Sequence, residues 1–134
     1  MQDKFFIDSN ICLYLFDKDR AKASIAEKLF TSGAVISTQV LAEVANVLVK
    51  KFAFSKKDAI ETIRFLKNKV EVCPVTPEVI EIAAAIFTRY SFSFFDSMII
   101  AAALNSGCSV LYSEDLHVKQ VFDKKLTVVN PFTK

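Results

Sequence analysis

The chain contains no tryptophan, a single histidine (His117), and only 2 glycines and 3 prolines among 134 residues. One histidine excludes any mechanism that passes protons between a pair of imidazoles. So little glycine and proline leaves scant material for linkers or low-complexity tracts, and no internal repeat is visible, so one domain spanning residues 1–134 is expected. The 3 cysteines, Cys12, Cys73 and Cys108, are odd in number and share no close spacing. They fit neither a disulfide framework nor a C-x-x-C zinc site, and read as small buried apolar groups in a protein of the reducing cytoplasm. Charge of one sign is also lacking: 17 basic and 15 acidic residues leave a net charge of +2, so binding to a polyanion would need a local patch. Long apolar runs are absent. The longest, Met98 to Leu104, is far short of the ~20 residues of a membrane span. Asp3 and Asp8 interrupt the N-terminal apolar stretch, so no signal peptide is expected.

What is present is apolar: 52% hydrophobic residues, a mean hydropathy of +0.33, and 13 phenylalanines as the main core filler. With no span to absorb this, part of the excess is expected to be covered by a partner or a second copy. The pattern alternates. Lys4–Ile7 reads as a short buried strand, and Ser9–Asn10 opens a helix through Phe16. Ala21–Phe30 carries a helical face of Ile25, Ala26, Leu29 and Phe30, stopped by Gly33. Ala34–Ser37 is a second strand. Thr38 is the expected cap of a helix with apolar positions Leu41, Val44, Leu48 and Phe52. Ser55 and Asp58 start the next helix, to about Asn68. Val70–Cys73 is strand-like. Pro77 after Thr76 opens a helix to Arg89. Asp96–Asn105 is helical and ends at Gly107, and Ser109–Tyr112 and Thr127–Val129 are the last strands. Strands separated by helices imply a mostly parallel sheet covered on both faces, a three-layer α/β/α fold.

Sites in open α/β sheets form at the carboxyl ends of strands. Asp8 directly follows the first strand, and Ser113-Glu114-Asp115 follows the strand Val110–Tyr112. On a helical wheel Asp96 falls among Ile99, Ile100 and Ala103, and Glu43 borders Val40, Val44 and Val47. A carboxylate on a core-facing surface is costly unless paired or bound to metal. The helix of Asp96 contains no Lys or Arg, and that of Glu43 has them only at its end, Lys50 and Lys51. An inorganic cation is therefore the expected counter-charge, and an all-oxygen donor set favours Mg²⁺ or Mn²⁺. Taken singly, each acid has a plainer reading: Asp8 as a helix cap, Asp96 as the third residue of a helix capped by Ser93, Glu43 as a boundary residue, Asp115 as a turn residue.

Four segments in order, Phe-Ile-Asp8-Ser9-Asn10-Ile, Thr38-x-x-x-x-Glu43-Val, Phe95-Asp96-Ser97-Met-Ile-Ile-Ala-Ala-Ala and Leu-Tyr-Ser113-Glu114-Asp115-Leu, resemble the signature segments of PIN-domain proteins. The chain is most similar to the bacterial VapC-type toxins, from Phe5 to the final strand. The resemblance implies a three-layer fold, Mg²⁺- or Mn²⁺-dependent endoribonuclease activity on RNA, frequent homodimerisation, and neutralisation of toxin members by a small antitoxin. By position it makes Asp8, Glu43, Asp96 and Asp115 the catalytic, metal-binding quartet. Ser9 and Asn10 would support the first acid or its waters, and Ser113 would fill the small hydroxyl position. At Glu114 family members more often carry a basic or amide residue, so the fourth acid is either Glu114 or Asp115. Asp115, two residues after Ser113, is favoured.

RNA contacts would have to be local: Lys50-Lys51, Lys56-Lys57 and Arg64, Lys67 and Lys69 offer cations, although a solvated helix face is the plainer reading. Phe92, Phe94 and Phe95 offer rings for base stacking, against core packing as the alternative. Other readings are a non-catalytic binding module of the same fold, or phosphoryl transfer of the receiver or aspartyl-phosphatase kind. Asp8-Ser9-Asn10 lacks the second acid of an Asp-x-Asp nucleophile motif. A Ser113–Asp115–His117 triad lacks the glycines of a nucleophile elbow.

Overall fold

The computed structural model describes residues 3–116 and 120–133. The element order is β1 (Phe5–Ile7), α1 (Ser9–Leu13) with a 3-10 turn at Tyr14–Phe16, α2 (Arg20–Leu29), β2 (Ala34–Ser37), α3 (Thr38–Lys50), α4 (Lys56–Lys69), β3 (Glu71–Cys73), α5 (Pro77–Arg89), α6 (Phe94–Asn105), β4 (Val110–Tyr112), β5 (Val121–Phe122) and β6 (Leu126–Val129). The strands form one six-stranded sheet in the order β3-β2-β1-β4-β6-β5. Every pairing is parallel except β5 with β6. This is the expected three-layer α/β arrangement. Among the described residues no helix is long and apolar enough to cross a membrane.

Strands β1 and β2 are buried on both faces, as parallel strands between helical layers are, while β4 and β6 bury one face fully and the other in part. Phe6, Ile7, Val35, Ile36, Leu111, Leu126 and Val128 are all fully buried. On α3, Val40, Val44 and Leu48 repeat every four residues and face this core. Helix α6 differs: Ile99 to Ala103 are five consecutive buried residues, so it is enclosed all round rather than striped. The cysteines are free thiols, Cys12 and Cys108 buried and Cys73 half-buried. Burial pushes the thiol of Cys108 up to about 11, which keeps it protonated and inert at neutral pH.

Several boundaries differ from expectation for identifiable reasons. Helix α3 is capped by Ser37, whose Oγ accepts from the Val40 N–H at 3.3 Å, while Thr38 is its first residue. The Thr38 hydroxyl accepts instead from the Val75 N–H at 3.1 Å, tying α3 to the segment after β3. Helix α3 stops at Lys50, so Phe52 is not on it; Ala53 adopts φ 57 as the chain turns away. Asp19, not Ala21, sets the start of α2 by accepting from Ala21 and Lys22 N–H groups. The first helix tightens to a 3-10 turn at Tyr14 before reaching Phe16. Helix α6 begins two residues before Asp96, at Phe94. Strand β5 was not expected. It is two residues long and joins β6 through a turn in which Asp123 and Lys124 both have positive φ, without the Asn-Gly signal that normally marks such a turn.

The order of the strands fixes where a ligand can enter. From β1 the chain moves outward to β2 and β3, then returns to the other side of β1 with β4. The two helical layers therefore diverge at the carboxyl ends of β1 and β4, the switch point at which open α/β sheets leave a crevice.

Candidate metal centre

Asp8 and Ser113 follow the two strands that flank this crevice. Their backbones are in register, with the Asp8 N–H donating to the Tyr112 carbonyl at 3.0 Å and the Ser113 N–H to the Val129 carbonyl at 3.0 Å. Asp8 is also the N-cap of α1, its Oδ1 accepting from the Ser9 N–H at 2.7 Å. The plain reading of Asp8 as a cap and its candidate role at a site are thus both satisfied by one carboxylate. Its other oxygen, Oδ2, accepts from the fully buried Ser113 hydroxyl at 2.8 Å.

The crevice is a cleft of about 300 Å³ whose walls carry Asp8, Glu43, Asp96 and Asp115, together with Ser9, Phe95 and Ile99. All four acids singled out in the sequence therefore reach one cavity, from the ends of β1 and β4, the second turn of α3 and the first turn of α6. The way Asp96 reaches it corrects the helical-wheel argument. Because α6 is buried all round, no apolar stripe directs Asp96. It faces the cleft because it lies in the first turn, its N–H donating to the Ser93 Oγ at 3.1 Å, before the helix plunges into the core. Glu114 does not line the cleft. It accepts from the Tyr14 hydroxyl at 2.6 Å and pairs with Lys22 at 3.4 Å.

Neutral donors hold three of the acids, Asp8, Glu43 and Asp115, in place. The Ser9 hydroxyl bridges two of them, 2.8 Å from Glu43 Oε2 and 3.4 Å from Asp8 Oδ1. Asn10 Nδ2 donates to Asp115 Oδ2 at 2.8 Å. Asn10 is expected to support the first acid or its waters; the protein side chain it donates to is Asp115. Ser113 Oγ accepts from the Asp115 and Leu116 N–H groups at 3.3 and 3.4 Å, so it shapes the loop as well as holding Asp8. One residue was missed. Buried Gln39 donates through Nε2 to Glu43 Oε1 at 2.8 Å and to the Phe95 carbonyl at 3.1 Å, linking α3 to the first turn of α6. Its spacing of four residues from Glu43 was the available signal. Asn10 Oδ1 and Gln39 Oε1 are buried acceptors with no donor among the described residues.

The electrostatics are one-sided. Among the described residues the ion pairs join Lys4 to Glu71, Arg20 to Glu27 and Lys22 to Glu114, and none includes a cleft acid. Asp8 is only 7% exposed, and burial pushes its carboxyl from 3.8 up to about 6. Its hydrogen bonds from Ser113 and Ser9 oppose that rise, while the charges of Glu43 and Asp96 add to it. No three His, Cys, Asp or Glu side chains among the described residues converge as a ready-made cage. The donor set is instead an open, oxygen-only wall. This fits a hard cation such as Mg²⁺, which keeps several of its waters and takes only one or two carboxylates.

The basic residues Lys50, Lys51, Lys56, Lys57, Arg64, Lys67 and Lys69 are all exposed. His117 lies outside the described residues. Ser113 donates to Asp8 rather than standing free as a nucleophile.

A family model described as the PIN domain matches residues 5–123. No curated protein sequence matches the chain. Among solved structures, the chain is similar to a toxin–antitoxin complex from Klebsiella pneumoniae, with a TM-score of 0.72, 19% identity, and coverage of 96% of this chain and 98% of that one. It is also similar to VapC20 of Mycobacterium tuberculosis, a sarcin-ricin loop cleaving toxin, with a TM-score of 0.68, 22% identity, and coverage of 84% and 90%. A third is FitAcB from Neisseria gonorrhoeae, with a TM-score of 0.68, 15% identity, and coverage of 96% and 98%.

Proposed function

The chain belongs to the PIN-domain family, and from that premise we propose that it is a Mg²⁺- or Mn²⁺-dependent endoribonuclease whose catalytic acids are Asp8, Glu43, Asp96 and Asp115. The observation that carries the reading is the convergence of four acids, from four separate segments, on one cleft without an ion-pair partner among the described residues. Like charges held together in a partly dry cleft favour a bound cation over the empty state.

A divalent ion at such a site supplies positive charge to a scissile phosphate and lowers the pKa of a water that attacks it. The chain's own residues supply order. Ser113 and the Ser9 N–H fix both oxygens of Asp8, which is mostly ionised at pH 7 and so ready to meet a cation. Gln39 and Ser9 fix both oxygens of Glu43, and Asn10 holds one oxygen of Asp115, leaving the other to coordinate or to accept a proton from the attacking water. The position of Asp115 on the cleft wall, with Glu114 engaged by Tyr14 and Lys22, supports Asp115 as the fourth acid.

The likeness to a toxin–antitoxin complex and to a sarcin-ricin loop cleaving toxin supports a further part of the proposal. In it the protein is a cytoplasmic, homodimeric toxin restrained by a small antitoxin. Expression alone should then arrest growth, and co-expression of a short adjacent reading frame should relieve the arrest.

The core test is cleavage of RNA by purified protein. Cleavage should require Mn²⁺ or Mg²⁺, stop on chelation, and be lost in Asp8→Asn. Cleavage that continues in chelator, or equally in Asp8→Asn, would refute the assignment.

A further inference from the structure

The three phenylalanines before α6 are not equivalent. Phe92 is half-buried, its ring 5.7 Å from that of Tyr90 and 5.9 Å from that of Phe122. Phe94 is half-buried against Phe87, with centroids 5.5 Å apart. Phe95 is 69% exposed, more than any other large hydrophobic residue described, and it lines the acidic cleft. An exposed aromatic ring alone is ordinary. This one stands beside Asp96 on the wall of a cleft, and its carbonyl is held at 3.1 Å by the same Gln39 amide that holds Glu43. The ring's backbone and a catalytic acid are thus fixed to one side chain, so the distance between them is set by the fold.

We propose that Phe95 is a nucleobase-stacking platform at the rim of the cleft. This rests on the ribonuclease reading for the identity of the ligand. A base lying on the ring would seat the adjoining phosphate towards the acids. The four acids repel a polyanion, so attraction near them has to come from a bound cation and from uncharged contact; a π-face supplies the second without regard to sequence. Bases inside a duplex are already stacked on each other and do not present that face.

The absence of tryptophan offers a direct probe. In Asp8→Asn protein, chosen so that the strand is not cut during the measurement, Phe95→Trp places the sole indole of the chain at the platform. A short mixed-sequence single-stranded oligoribonucleotide should quench its fluorescence on binding. The same strand with abasic sites, and the fully paired duplex, should quench far less. In the same background Phe95→Ala should weaken binding of the single strand by about tenfold or more, the size of one lost base–aromatic stack, and should leave the abasic strand nearly unaffected.

Equal quenching by the base-containing and abasic strands would overturn the platform. So would unchanged affinity in Phe95→Ala, or a loss confined to self-association or to binding of a partner protein. If the unmodified protein cuts no RNA with Mn²⁺ yet the base-dependent quenching is seen, the ribonuclease reading fails and the stacking platform stands.

Discussion

Glu114 and Asp115 are neighbours in sequence and occupy opposite electrostatic settings. Glu114 turns away from the sheet end to a hydroxyl at 2.6 Å and an ammonium at 3.4 Å, with Lys22 also over the ring of Tyr14 at 4.7 Å. Its negative charge is answered within the chain, and its hydrogen bond raises the pKa of the Tyr14 phenol. Asp115 turns into the cleft, where its hydrogen-bond partner is the neutral amide of Asn10. The same holds for Asp8 and Glu43: hydroxyls, amides and a backbone N–H orient them, and no cation among the described residues offsets them. On the proposed reading, the contrast separates a structural acid from a poised one. An acid that only holds the fold is matched inside the fold, whereas Asp8, Glu43 and Asp115 are held in place by neutral donors and have no ion-pair partner among the described residues.

The sharpest way to break that contrast is at Asp8. Asp8→Asn should lower metal-dependent RNA cleavage by more than about a hundredfold, since loss of even an outer-shell partner of a metal ligand costs roughly 10–100-fold. It should also stabilise the metal-free protein. With a carboxyl raised from 3.8 to about 6, the folded state holds a proton that the unfolded chain releases, so the contribution of Asp8 to stability falls as pH rises through that window. At about 1.4 kcal/mol for each tenfold change, urea unfolding at pH 7 should find the variant more stable by about 1–3 kcal/mol, with the difference vanishing below about pH 4.

Ser113→Ala comes next. It removes the hydroxyl bond to a buried carboxylate, costing about 1–3 kcal/mol in the same unfolding assay and about 10–100-fold in cleavage. Because that bond holds the Asp8 pKa down, the acid limb of the pH–rate profile should move to higher pH. Gln39→Leu should weaken Mn²⁺ activation by about tenfold and cost about 1–3 kcal/mol in the unfolding assay, because it removes the donor to Glu43 Oε1 and to the Phe95 carbonyl at once. The smallest effect belongs to Glu114→Gln. Cleavage should stay within about twofold, with less than about 1 kcal/mol lost, as for partly exposed ion pairs generally. If Glu114→Gln abolished cleavage and Asp115→Asn did not, the two acids would exchange roles.

Much of this was legible because the fold announces itself locally. Short apolar runs alternating with capped helices specified the parallel sheet, and a parallel sheet places Asp8 and Ser113–Asp115 at strand ends whatever else is unknown. That Asp8 and Asp115 line one cleft was legible for the same reason, whereas Glu43 and Asp96 sit on helices and were joined to them by inward-facing position and by the family resemblance. Their partners were less so. Nothing local distinguishes Glu114 from Asp115; the difference depends on Tyr14 and Lys22, about a hundred residues away. Asn10 was readable as a supporting residue, but which acid it serves is a matter of tertiary placement. Gln39 was not singled out, because its four-residue spacing from Glu43 is common on helices and its second acceptor, the Phe95 carbonyl, depends on the approach of α6 to α3. Asp96 was assigned to the site for a partly mistaken reason, because a helix enclosed on all sides has no stripe to read.

The central claim, that the cleft acids are poised for a divalent cation, is tested most directly by thermal unfolding of the unmodified protein and of Asp8→Asn at pH 7 as Mn²⁺ is added. A cation that binds only the folded state stabilises it by about 2.7 kcal/mol at a hundred times its Kd. The Tm of the unmodified protein should therefore climb with Mn²⁺ until it meets or passes that of the variant, which should stay nearly flat. A Tm that does not move, or that moves equally in both proteins, would contradict the account.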